Sequence, residues 1–581
     1  MLQIFDRRTA GNIFETTRII WPIALAMSAS TANHICDRLF LAHAEDAAIE
    51  AILPADMLAQ IVSGFLACTI GYSATFVAQL HGGGKQHQAV RSFAQGLWLS
   101  LMTIPVFIAT IPVGRTLIDL AGHSASVRIA EKAYFSIVTP GGFLCVLNAV
   151  LAGILTGQGH TRYAGFCTFV GCLCNLALDP ILIFGLGPLP IMGISGAATA
   201  TLVSFGITTT LLAIAVLRDP LVKLGLASGD FTFSPPRTLS ILKFGIPLGL
   251  TSFFGCVSFT IFAFAAGRCE PIALAASNTV FAVNNVFYSA TCATSQGINI
   301  LTGRFHGARN DSAAANVFAS GLCLVGIVLV VCFSIALPCA GMIMDVFRGA
   351  DSSFDPAAFR LYGFILFSIM FFREIAEGLL YVAGGALRGV GDTKFIMLIQ
   401  TSVETFIRIP LILAVCAFSN SIFLLWLTMP LDMGITAVLL TRRWFSGKWK
   451  SIRLTADCVW DPKGQATRSL PPPVPIRPSI QIPRGTVHPP PAANKTKIQC
   501  YIHSSENPPT VILPSLSLLQ VNLENFGNLC KTFSTISSIG KPFTPPRFCE
   551  KTPVGDLARF IIANSNNVSS SSSFVSEAAF L

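Results

Sequence analysis

Charge is scarce in this chain. Only 12% of its 581 residues are Asp, Glu, Lys or Arg, about half the share in an ordinary soluble domain. With 52% hydrophobic residues and a mean hydropathy of +0.65, a water-soluble fold could not hide the apolar surface. Clustered basic residues are also missing: the net charge of +10 is spread over short segments between apolar runs, which excludes a phosphate-binding face and with it a nucleic-acid partner. The seventeen cysteines include no Cys-x-x-Cys pair and no histidine partners at zinc spacing, so they read as reduced packing residues rather than metal ligands. Neither His-Glu-x-x-His nor Gly-Lys-Ser occurs. A metal-dependent membrane enzyme and an ATP-binding loop both lack their chemistry, and no cofactor is expected.

What is present is a duplication. Pro22 in IIWPIALAM returns as Pro247 in KFGIPLGLT, 225 residues later, and His81-Gly82 returns at the same offset as His306-Gly307. Gly157-x-Gly159-x-Thr161-Arg162 returns as Gly389-x-Gly391-x-Thr393-Lys394, offset by 232. Three matches in one order inside apolar sequence indicate a doubled membrane unit, a common plan for solute carriers. These Gly-x-Gly patterns follow long apolar helices rather than strands, so they are not nucleotide loops.

Counting windows of about 20 apolar residues gives twelve spans, near 17–41, 52–78, 91–113, 133–156, 163–184, 195–217, 239–266, 272–300, 314–338, 358–386, 395–417 and 421–441. The expected fold is an all-α integral membrane protein with twelve transmembrane helices in two pseudo-symmetric six-helix lobes. Residues 1–217 form the N-lobe, 218–238 a cytoplasmic linker and 239–453 the C-lobe. The first span aligns with the seventh, so it is read as a retained helix and not a removed signal peptide. Seventeen Lys and Arg fall on the side that holds the N-terminus and six on the other, which places the N-terminus in the cytoplasm of a multi-pass plasma or inner membrane protein. Residues 454–581 carry Pro471-Pro472-Pro473, Pro489-Pro490-Pro491 and a serine run from Ser569 to Ser573. Such composition favours extended and flexible chain, so a disordered tail is expected.

The chemistry must lie in the few ionisable groups at membrane depth, which are costly and therefore usually face a wet cavity. Asp37 lies late in the first span, in HICDRLF. Asn175 and Asp179 share one helical face four residues apart, and Thr201 offers a hydroxyl from the next span. Two carboxylates with an amide and a hydroxyl could share a proton or ligate a hard cation. Against this, either aspartate could end a helix at the interface, or pair with Arg38. His34, three residues before Asp37, could tune it as a switch or simply bond to a neighbour.

The order of these pieces resembles the multidrug and toxic compound extrusion (MATE) family. The resemblance rests on Pro22, the stretch Asp37-Arg38-Leu39-Phe40, Ala78 to Gly82, Leu155 to Gly159, Asn175 to Gly185 and Gly193 to Thr201. It continues with Ala386 to Lys394 and with Arg408-Ile409-Pro410-Leu411, covering about 15–445 and none of the tail. It implies a monomeric antiporter that expels drug-like, often cationic, compounds in exchange for protons or sodium ions as two lobes open alternately. Asp37 matches the carboxylate whose protonation is proposed to bend the first helix near Pro22; Asn175, Asp179 and Thr201 match its polar partners, and Glu377 an acidic C-lobe position. The chain departs from that pattern at Gly255, where some sodium-coupled members have glutamate, and at Thr156, where arginine is usual. The N-lobe set is therefore expected to dominate, and Glu377 could instead pair with Arg373 one turn earlier. A lipid-linked precursor flippase of the same superfamily would favour fourteen spans and a basic cavity, and nothing positive supports a non-transporting receptor.

Overall fold

Hydrocarbon offers no partner for a backbone amide, so a spanning segment must satisfy its own hydrogen bonds, and helices do so. The computed structural model describes residues 2–42, 44, 46–185, 190–348, 354–452 and 454, and no strand occurs among them. The first half holds α1 (Ile13–Ala42), α2 (Asp46–Gly71), α3 (Ser73–Gly82), α4 (Gln86–Met102), α5 (Ile104–Leu120), α6 (Ala125–Gly157), α7 (Thr161–Phe184) and α8 (Gly193–Arg218). After a short α9 (Pro220–Ala227) come α10 (Pro235–Ala266), α11 (Pro271–Gly307), α12 (Asp311–Ala336), a short α13 (Ala340–Arg348) and α14 (Pro356–Val390). Next, α15 (Thr393–Val403) passes through a π-helical turn (Glu404–Arg408) into α16 (Ile409–Phe418), and α17 (Ile422–Phe445) closes the bundle.

Breaks at Tyr72 and Thr103 divide two of the expected spans. Taking α2–α3, α4–α5 and α15–α16 as continuous rods leaves six crossings in each half, the expected twelve. Ten are long and apolar enough to cross a membrane on that ground alone. The other two, α11 and α14, are 37 and 35 residues long and fall outside that set, although α14 keeps Leu361, Phe364 and Phe372 exposed. The two helices pack on each other, and α14 also on α17. On α14, Arg373, Glu374 and Glu377 are buried, because lipid would leave such groups unpaired. In the first half α2 packs on α6, α6 and α7 on α8, and α1 on α7; the halves meet where α1 and α3 cross α11 and where α2 crosses α10.

The interval expected as a linker holds a helix of its own. Asp219 caps α9, accepting from the amides of Leu221 (3.0 Å) and Val222 (3.3 Å), with Pro220 at the first helical position. Beyond α9, Gln95 of α4 donates to the Thr232 carbonyl (2.9 Å) and accepts from the Ser234 amide (2.8 Å). Asp230 is buried and accepts from His87 (2.7 Å), Arg91 (2.6 Å) and Ser228 (2.8 Å). Burial pushes its carboxyl upward, but these bonds outweigh that and hold it below the usual carboxylate range. Except for Leu454, the expected disordered tail lies outside the described residues.

The duplication is visible in atomic detail at one end of the bundle. His81 Nδ1 is 3.0 Å from Gln86 Oε1, and its counterpart His306 Nδ1 is 3.1 Å from Asp311 Oδ1. Where the helices cross, a Cβ on Gly82 would lie 2.0 Å from the Arg304 carbonyl oxygen, and one on Gly307 would lie 2.0 Å from that of Gln79. Residues 79 and 304 are themselves 225 apart, so the contact is reciprocal about a pseudo-two-fold axis. Gln79 Nε2 then donates to the Gly389 carbonyl (2.7 Å), locking α3 to the end of α14.

A methyl group at either crossing must displace backbone. Gly82→Ala and Gly307→Ala are each expected to cost about 1–3 kcal/mol, seen as lowered thermal midpoints in detergent. Gly206→Ala, whose Cβ meets nothing within 4 Å, is expected to leave the midpoint unchanged or raise it.

Candidate functional site

Asp37 arrives on α1 and Asp179 on α7, helices that pack along their lengths. Close approach is permitted by Gly165 of α7, whose Cβ would stand 2.6 Å from the carbonyl oxygen of Pro22. Both aspartates are buried, and their carboxyl groups come within hydrogen-bonding reach of each other. Neither oxygen of Asp179 receives a hydrogen bond from a protein donor, and neither does Asp37 Oδ1. No ion pair joins Asp37 to Arg38 among the described residues, and His34 is exposed. Asn175 is buried one turn before Asp179, and its Oδ1 accepts from Asn33 Nδ2. Asn33 was missed as a lone amide in the first span; its position four residues before Asp37, on the same helical face, was the available signal. Thr201 is half-buried on α8, and its hydroxyl makes no hydrogen bond to Asp37, Asn175 or Asp179.

Such a carboxyl pair, without a cationic neighbour bonded to it, can hold one proton between its two groups or bind a cation from solution.

The second half solves burial of charge differently. On α14, Arg373 lies 2.6 Å from Glu374 Oε1 and 3.0 Å from Glu377 Oε2, and also donates to Asn284 of α11. Glu377 therefore makes the pairing with Arg373 that its spacing allowed. Further along, Arg408 of the π-helical turn is 3.7 Å from Asp432 of α17. Glu404, at the start of that turn, brings Oε1 to 3.9 Å from where a Cβ of Gly255 would stand, so an acid does face the gap left by that glycine. Glu374, Glu404 and Asp432 were missed. Glu374 reads as half of a local pair with Arg373, and no spacing rule joins residues 404 and 432 on separate helices.

Cys68 of α2 is exposed, and Tyr288 of α11 is 39% exposed. Tyr288 meets Tyr381 of α14 edge to face, with ring centroids 6.0 Å apart and hydroxyls 3.4 Å apart.

Removing Arg373 strands two buried carboxylates. Arg373→Met is expected to cost about 3–5 kcal/mol of stability, read as a lowered thermal midpoint, and adding Glu374→Gln with Glu377→Gln is expected to recover most of it.

Comparison with known proteins places this geometry in company. The MatE family model matches residues 22–181 and again 247–414, two matches that begin 225 residues apart, at Pro22 and Pro247. The probable multidrug resistance protein NorM of Bradyrhizobium diazoefficiens is 25% identical over 66% of this chain and 82% of its own length. That of Mesorhizobium japonicum is 22% identical over 74% of this chain and 92% of its own. A crystal structure of MATE in complex with MaL6 superimposes with a TM-score of 0.68 at 19% identity, covering 78% of this chain and 99% of that one.

Proposed function

Because the chain belongs to the MatE family, the multidrug and toxic compound extrusion transporters that its motifs resemble, we propose that it is a secondary active multidrug efflux antiporter. It exports organic compounds by alternating access and is driven by proton entry at Asp37 and Asp179. The observation that carries this reading is the contact between two buried carboxyl groups that no protein donor satisfies. One proton shared between them leaves a single negative charge, and its loss leaves adjacent like charges that push α1 from α7. Pro22 lies within α1 and lacks the amide that would complete the helical ladder there, so bending at that point breaks no further bond. A sodium cage needs several oxygen ligands, and Asn33, Asn175 and Thr201 offer neutral oxygens only beside the carboxyl pair. That favours the proton. Glu377, held by Arg373, is assigned a secondary role in cation binding.

On this reading the His81 and His306 end, with the linker and both termini of the bundle, faces the cytoplasm of the cell membrane, in keeping with the excess of Lys and Arg there. The reciprocal glycine crossing is then the cytoplasmic closure. The transporter works as a monomer, with drug-like substrates entering from the cytoplasm or the bilayer and no cofactor beyond the coupling ion.

The test is exchange in proteoliposomes. A pH gradient without sodium on either side should drive substrate uptake into inverted vesicles, and a sodium gradient at symmetric pH should not. Asp37→Asn should abolish exchange by at least tenfold while insertion and thermal midpoint persist, because the amide is nearly isosteric but cannot titrate. Exchange only under the sodium gradient, or undiminished exchange by Asp37→Asn, would overturn the assignment.

A further inference from the structure

The chain does not leave the bundle when α17 ends. Gly447 takes a left-handed conformation at φ +68°, and a 3₁₀ turn (Lys448–Ser451) brings the backbone back against the helix. Trp449 is buried, its Nε1 donates to the Trp444 carbonyl (2.9 Å), and its ring stacks on that of Trp444 with centroids 4.3 Å apart. Trp444 stacks in turn on Phe318 of α12 at 5.1 Å. His306, fully buried near the end of α11, meets the Trp449 ring at 5.7 Å and donates from Nε2 to the Ile452 carbonyl (2.7 Å), while its Nδ1 faces Asp311 (3.1 Å). All of these anchors belong to the second half.

The far end of the segment meets the first half. Leu454 is 1% exposed and joins the apolar cluster that includes Tyr72, Phe76, Val77 and Leu80. It passes Gly391, which closes α14 at φ +99° and where a Cβ would stand 2.7 Å from Leu454 Cδ2 and 3.5 Å from Ile452 Cγ2. At this same end of α14 the first half makes its bonds: Gln79 donates to the Gly389 carbonyl (2.7 Å) and the Tyr72 hydroxyl to that of Arg388 (2.8 Å). Residues 449–454 therefore bridge the two halves beside the junction of α3 with α14. After α8, the matching helix of the first half, the chain turns into α9 and packs on α4, so the bridge is not a product of the duplication.

We propose that residues 447–454 are a strap that restrains the halves from parting at the end of the bundle that carries His81 and His306. Five residue steps join Trp449 to Leu454, a reach of at most about 18 Å. Separation of the halves therefore draws Leu454 out of its apolar site or breaks the Ile452 bond to His306. Either loss falls on the open state alone, so the strap shifts the equilibrium toward closure. The inference rests on the efflux reading, in which the halves part at this end, and adds a built-in restraint on that step.

The test follows a thiol placed between the halves. Thr75 of α3 is buried and donates to Asn299 of α11 (3.2 Å), so a cysteine there is shielded while this end is closed. Purified full-length Thr75→Cys protein is labelled with N-ethylmaleimide, and the modified peptide is followed by mass spectrometry. Adding Leu454→Asp, or separately His306→Phe, which keeps a ring against Trp449 but cannot donate, is expected to speed that labelling at least threefold. Leu454→Met is expected to change it less than twofold. Cys167, buried on α7 within the first half, is expected to label at an unchanged rate in every variant, which separates release of the strap from unfolding. An unchanged rate at Thr75→Cys in both variants, or equal acceleration at Cys167 in both, would overturn the strap. If such a chain still exchanges substrate in proteoliposomes, the efflux reading stands without it. Accelerated labelling in a chain that exchanges no substrate would instead keep the strap and overturn the efflux reading.

Discussion

Inside a bilayer a charge that finds no partner is expelled or neutralised, and the whole bundle is arranged around that constraint. In the second half α11 and α14 pack on each other and bury Arg373, Glu374 and Glu377. Where the chain supplies a counter-ion, as Arg373 does for Glu374 and Glu377 at 2.6 and 3.0 Å, one guanidinium offsets one of two buried carboxylates. Where it supplies none, as at Asp37 and Asp179, something mobile must complete the site. On the proposed reading, function is concentrated in the unpaired groups.

Duplication gives the two halves one backbone plan while their chemistry diverges. Pro22 and Pro247 occupy matching helices, and the Gly82 and Gly307 crossings are reciprocal to the same 2.0 Å approach, so this contact between halves is built from symmetry. The acids obey no such symmetry. The first half places a carboxyl on each of two packed helices, whereas the second places two on successive turns of α14, held by one guanidinium. A pair whose separation can change couples protonation to helix movement; a pair on one rigid helix cannot do so to the same degree.

Much of this was legible in sequence because membrane helices announce themselves. Apolar length gave twelve crossings, and an aspartate in an apolar run, or an Asn and Asp at four-residue spacing, stands out against silence. Backbone geometry did not show through: hydropathy is blind to the breaks at Tyr72 and Thr103 and to the π-helical turn at Glu404, since each changes hydrogen bonding and not polarity. The helix α9 was hidden inside a stretch read as linker, although Asp219-Pro220 is a helix-start signature. Tertiary neighbours were the least legible. Asp432 meets Arg408, and Glu404 faces the gap at Gly255, only after three helices have packed.

The central claim is that one proton resides between Asp37 and Asp179 and leaves when substrate binds. Calorimetry of substrate binding at neutral pH, repeated in buffers of different ionisation enthalpy, counts protons released without requiring turnover. The account predicts release of about one proton per substrate bound by the wild type and none by Asp37→Asn. Substrate binding with no proton release, or with a release that Asp37→Asn retains in full, would contradict it.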